Sequence, residues 1–203
     1  MEKLQTRVAI LGNPSVGKTC ILERFTTSSF PKDTVPTIGT AFKSFTFPIN
    51  EKLVELHIFD CAGNERFNTL LPIYLRGIDS VVLVYSISDP NSQKDVLKRW
   101  YDFVKQHPIV RLYLVGNKSD LDEVRLSGFD GDFRNLYKLI PDLKQIHVFK
   151  TSAKTGLGID ELFSQIAEDC YLHNVNSLPL DIVGPPVKLD KVNLNKSYSC
   201  CYN

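Results

Sequence analysis

Gly12-Asn13-Pro14-Ser15-Val16-Gly17-Lys18-Thr19 decides how the rest of the chain reads. A glycine, four further residues and then Gly-Lys-Thr form the phosphate-loop pattern. Here it follows the apolar β-branched run Val8–Leu11 and precedes a helical stretch, the strand–loop–helix context the motif requires. Such a loop turns successive backbone N–H groups and a helix N-terminus toward phosphate oxygens. Lys18 adds a point charge and the Thr19 hydroxyl is placed to ligate Mg²⁺. The candidate phosphate-binding positions are therefore Gly12, Ser15, Val16, Gly17, Lys18, Thr19 and Cys20.

Outward from the loop, Val81–Tyr85 and Leu112–Val115 are further continuous apolar runs, each ahead of a polar loop, as expected of parallel strands covered on both faces. Between and after them, two patterns carry three-and-four spacing. One is Val96, Leu97, Trp100, Phe103 and Val104; the other is Ile159, Leu162, Phe163, Ile166, Ala167 and Cys170. This alternation predicts an α/β fold with a doubly wound, mostly parallel six-stranded sheet, helices on both faces and ligands at the carboxyl ends of the strands. Phe42–Phe47 and Val54–Phe59, on either side of Pro48-Ile49-Asn50-Glu51, predict a β-hairpin and hence one antiparallel edge strand. The charged stretch 121–144 holds only a weak helical pattern around Phe133–Leu139 and has no functional reading. Apolar periodicity stops after Asn174, where prolines appear among polar residues. The chain divides into a short extension at 1–6, a nucleotide-binding domain at 7–174 and a flexible tail at 175–203.

With 24 basic and 23 acidic residues, the formal charge of +1 leaves no electrostatic footprint for nucleic acid. Five cysteines lack a disulfide framework's spacing and no charged-then-apolar leader opens the chain, so a cytoplasmic protein is expected. No apolar run nears the roughly 20 residues that span a bilayer.

Asp60 ends the run Val54–Phe59, where a carboxylate can reach a Mg²⁺ shell. Asn117-Lys118-Ser119-Asp120 follows the strand Leu112–Val115. A carboxylate there can accept two hydrogen bonds from guanine N1–H and its amino group, which adenine does not offer in that pattern, while the Lys118 stem covers the ring face. Ser152-Ala153-Lys154 follows the run Ile146–Phe149 and can offer a backbone N–H to the guanine oxygen.

In order and spacing, Gly12–Thr19, Pro36–Gly39, Asp60–Phe67, Asn117–Asp120 and Thr151–Lys154 resemble the five nucleotide motifs of the Ras superfamily. Thr37–Phe42, Arg66-Phe67, Tyr74–Gly77 and Cys200-Cys201-Tyr202-Asn203 resemble signatures of its Rab branch. The resemblance implies a P-loop NTPase G domain that cycles between GDP and GTP with Mg²⁺ and recruits effectors in vesicle and membrane trafficking. It implies catalytic positions at Lys18, Thr37 and Asn64, with Thr19, Thr37 and Asp60 as metal ligands. Phe30 would lie against the guanine edge, Gly63 would donate its N–H to the γ-phosphate, and 64–75 would form the second switch. Implied partners are an exchange factor, a GTPase-activating protein, a GDP-dissociation inhibitor or escort protein, and effectors at the switches. The chain would be a monomer that binds no nucleic acid. Geranylgeranyl groups on Cys200 and Cys201 would attach it reversibly to the cytosolic face of an endomembrane, because two chains anchor where one holds weakly.

Four positions depart from that pattern. Asn64 stands where the family has Gln, which orients the attacking water; its amide sits on a stem one methylene shorter, so slow intrinsic hydrolysis is expected. Pro14 removes one N–H from the phosphate cradle. Phe59 replaces a Trp and Leu75 a Tyr on the surface the resemblance assigns to effectors, which implies altered partner choice.

Overall fold

The computed structural model describes residues 3–31, 33, 35–64, 71–106, 111–121 and 146–176. In chain order these form β1 (Lys3–Leu11), α1 (Lys18–Thr27), β2 (Thr40–Ile49), β3 (Lys52–Cys61), α2 (Leu71–Tyr74), β4 (Ser80–Ser86), α3 (Pro90–Asp95), a π-helical turn (Val96–Trp100), α4 (Tyr101–Val104), β5 (Arg111–Asn117), a 3₁₀ turn (Ser119–Leu121), β6 (Ile146–Lys150) and α5 (Ile159–Asn176). The strands make one six-stranded sheet in the order β2-β3-β1-β4-β5-β6. Every pair is parallel except β2–β3. The chain leaves β1 toward β3 on one side and returns to β4 on the other, so the winding reverses at the carboxyl end of β1, where Gly12–Thr19 begins.

Alternation along each strand sorts the core into two layers. Val8, Ile10, Val82, Val84, Tyr113 and Val115 face α1 and α5, while Ala9, Leu11, Val81, Leu83, Leu112 and Leu114 face α2, α3 and the π turn. Phe25 of α1 stacks on Phe163 of α5 at 4.1 Å between ring centroids, which packs the helix after the phosphate loop against the last helix. Ile159, Leu162, Phe163, Ile166, Ala167 and Cys170 are all buried, as the spacing predicts.

The structure corrects several sequence boundaries. β1 begins at Lys3, so four residues of the expected extension pair with Leu53–Leu56. Their alternating exposed and buried side chains mask the strand in a search for continuous apolar runs. The hairpin turn is shorter than expected: Pro48 and Ile49 belong to β2, leaving Asn50-Glu51 as the connection. An edge strand tolerates a proline on the side where no ladder N–H is needed, and Asn50 accepts the left-handed backbone (φ 53) of the turn. Leu75 is not on the surface; at 2% exposure it packs in the layer of Leu71, Ile78 and Trp100, so its expected part in an effector face is withdrawn. α5 runs to Asn176, two residues past the expected limit. The weak helix at 133–139, residues 65–70 of the second switch, and Cys200 and Cys201 lie outside the described residues.

Candidate functional site

The nucleotide motifs, where they fall on described residues, lie at the carboxyl edge of the sheet, whereas Tyr74–Gly77 leads into the opposite edge at the start of β4. Gly12 starts the phosphate loop at φ 146, and a Cβ there would lie 2.1 Å from the Val84 carbonyl oxygen, so only glycine lets the loop lie against β4. Gly63 closes the other side: a Cβ would lie 2.5 Å from the Gly12 oxygen and 2.6 Å from Lys18 Nζ. Lys18 is buried, and its ammonium donates to the carbonyl oxygens of Gly12 at 3.0 Å and Asn13 at 2.8 Å. Burial holds its pKa down at about 8, against the pull of the Asp60 charge.

The three expected metal ligands converge. Thr19 Oγ1 donates to Asp60 Oδ2 at 2.6 Å and lies 2.8 Å from Thr37 Oγ1. Asp60 is fully buried; burial raises its pKa, while the Thr19 hydrogen bond and the Lys18 charge pull it back. Its second oxygen, Oδ1, has no hydrogen-bond partner among the described residues. A buried carboxylate oxygen left without a partner beside two hydroxyls is the hard-oxygen donor set that Mg²⁺ takes. These residues fit the ion.

On the base side, Asn117 ends β5 and is the hub. Its Nδ2 donates to the Val16 carbonyl at 2.9 Å, and its Oδ1 accepts from Thr151 Oγ1 and Ala153 N, each at 3.2 Å. Lys118 takes a left-handed backbone (φ 67), and Ser119 N donates to Thr151 O at 3.0 Å. Ser152 Oγ donates to Asp120 Oδ1 at 2.6 Å, leaving the outer oxygen near Lys154 Nζ at 4.0 Å. Ser15, Phe30 and Asn64 are exposed at the rim.

Two residues here had no reading from sequence. Arg24 of α1 donates from Nε to Ala153 O at 2.7 Å, from Nη2 to Lys154 O, and from Nη1 to Ser28 O at 2.8 Å. Asn13, an unspecified position of the motif, receives the Trp100 indole N–H. Neither departs from its local pattern, so no sequence signal marks them.

The family model described as "Ras family" matches residues 7–172, which contain the phosphate loop, the Asp60 carboxylate, the Asn117 hub and the Ser152 loop. The chain belongs to the Ras family. Within the family it is related to Rab proteins. It is 37% identical over 165 residues to Ras-related protein RAB1BV of Beta vulgaris, covering 80% of this chain and 74% of that one. It is 33% identical over 173 residues to GTP-binding protein ypt2 of Schizosaccharomyces pombe, covering 84% of each. It is 34% identical over 168 residues to Ras-related protein Rab-13 of Rattus norvegicus, covering 82% and 80%. It is a Rab-like small GTPase, and proteins of the Ras family bind guanine nucleotides and Mg²⁺. Among the described residues, no helix is long and apolar enough to cross a membrane.

Proposed function

We propose that this chain is a switch that holds GDP or GTP at the Gly12–Thr19 loop, recruits effectors to a membrane in its GTP form, and hydrolyses GTP slowly unaided. The observation that carries this reading is the convergence of Thr19, Thr37 and the orphaned Asp60 oxygen beside Lys18. Thr19, Thr37 and Asp60 would hold Mg²⁺, which supplies charge neutralisation on phosphate oxygens when bound. Lys18 and the N–H groups of 15–20 hold the phosphates, and Gly63 is free of a side chain where its N–H must approach. Asp120 reads the guanine edge and the Ser152 hydroxyl orients it, while the Ala153 N–H donates to Asn117 Oδ1. Thr37 sits in the exposed segment that also carries Val35 and Ile38, so loss of a contact at Thr37 changes the surface a partner meets.

Asn64 follows buried Gly63 and is exposed, the position from which an amide orients the attacking water. Its shorter stem supports slow intrinsic turnover, with stimulated turnover dependent on groups an activating protein supplies. The second reading, a GTP-binding scaffold with negligible hydrolysis regulated mainly by exchange, rests on the same residue. Single-turnover GTP hydrolysis separates the readings: Asn64→Gln is expected to be faster than the native chain by about tenfold, and equal rates overturn the slow-timer claim. Membrane attachment through geranylgeranyl groups on Cys200 and Cys201 is supported by the Rab relationship. Free thiols on the C-terminal peptide of protein from its native cell, seen by mass spectrometry, would remove it.

A further inference from the structure

The π turn Val96–Trp100 interrupts an otherwise α-helical segment on the sheet face opposite α1, and both of its ends point at one side chain of the phosphate loop. Asn13 Nδ2 donates to Asp95 Oδ2 at 2.6 Å, and Asn13 Oδ1 accepts from Trp100 Nε1 at 2.8 Å. A carboxylate can only accept and an indole N–H can only donate, so this pair determines which way the Asn13 amide faces. In an α-helix, residues five apart are turned about 140° from one another and could not share a target. The wider turn, closed by the Tyr101 N–H on the Val96 carbonyl, brings residues five apart onto one face. The same Asn13 holds Lys18 Nζ on its backbone carbonyl at 2.8 Å, and Gly63 presses on its peptide, where a Cβ would lie 2.6 Å from the Asn13 carbonyl carbon. Trp100 is buried and is the single tryptophan of the chain, with the Arg99 guanidinium 5.2 Å from its ring centroid.

We propose that Asp95 and Trp100 are positioning residues for the phosphate site: through Asn13 they hold the carbonyl that aims the Lys18 ammonium, and the π turn is the local geometry that lets both reach it. This rests on the nucleotide reading above. The clamp acts on the β- and γ-phosphate end of the ligand, so its loss weakens a diphosphate more than a monophosphate of the same base.

The test measures GDP and GMP affinity of the nucleotide-free full chain with Mg²⁺. Trp100→Phe keeps the ring but loses the N–H; Asp95→Ala loses the acceptor; Asp95→Asn keeps one. Trp100→Phe and Asp95→Ala are expected to weaken GDP about tenfold and GMP less than twofold, as befits one charge-assisted or buried hydrogen bond. Asp95→Asn is expected within threefold of native for both. An unchanged GDP-to-GMP ratio, equal weakening of both nucleotides, or Asp95→Asn behaving like Asp95→Ala overturns the proposal while native GDP binding keeps the nucleotide reading intact. A native chain that binds no GDP sinks that reading, and this inference with it. Independently of any variant, the single indole N–H resonance of ¹⁵N-tryptophan-labelled native protein is expected to shift when GDP is removed; a resonance that stays put counts against the clamp.

Discussion

The base side and the switch side of the nucleotide rim are held differently. Asn117 is 1% exposed and ties three segments together, reaching Val16, Thr151 and Ala153 with hydrogen bonds that all lie out of water. The segment at 35–39 leaves Val35 80% and Ile38 84% exposed. It is tied down by the Thr37 hydroxyl on Thr19 and the Ala62 N–H on Gly39 O at 2.8 Å. On the proposed reading, a site so divided would meet the base with preformed geometry and the third phosphate with the exposed segment. Buried hydrogen bonds are costly to leave unmade, whereas an exposed segment returns to water at little cost.

Three substitutions break or sharpen that contrast. Asn117→Ala removes three buried hydrogen bonds at roughly 1 to 1.5 kcal/mol each, so GDP and GTP affinities should both fall on the order of 10³-fold by titration calorimetry; a loss under tenfold would mean the base side is not preformed. Thr37→Ala should weaken GTP about tenfold in the presence of Mg²⁺ and GDP less than twofold, and equal effects on the two would erase the distinction between the sides. Arg24→Ala should speed release of both nucleotides about fivefold in stopped flow, since its bonds to the Ala153 and Lys154 carbonyls support the base loop from a half-buried position. An effect confined to GTP would move Arg24 to the switch side.

Legibility in the sequence followed the range of the interactions involved. The phosphate loop, Asn117–Asp120 and the α5 spacing are read within a few consecutive residues, because backbone direction and helical periodicity are local properties. Leu75 illustrates the limit: a leucine at a position expected to face partners is apolar either way, and only packing against Leu71, Ile78 and Trp100 shows that it is core. Trp100 is similar, correctly read as part of an apolar helix face but with no trace of the polar tip that reaches Asn13, 87 residues away.

By itself, then, the sequence determined the mostly parallel sheet, the nucleotide motifs along its carboxyl edge and the family, since each is written in short runs whose physics is complete in a few residues. Tertiary structure alone decided that Pro48 lies inside an edge strand, that Asn117 ties the end of its own strand to two other loops, and that a π turn is bonded at both ends to the phosphate loop. Those features depend on which distant elements become neighbours, and a hydrogen bond between partners 80 or more residues apart has no local pattern to announce it.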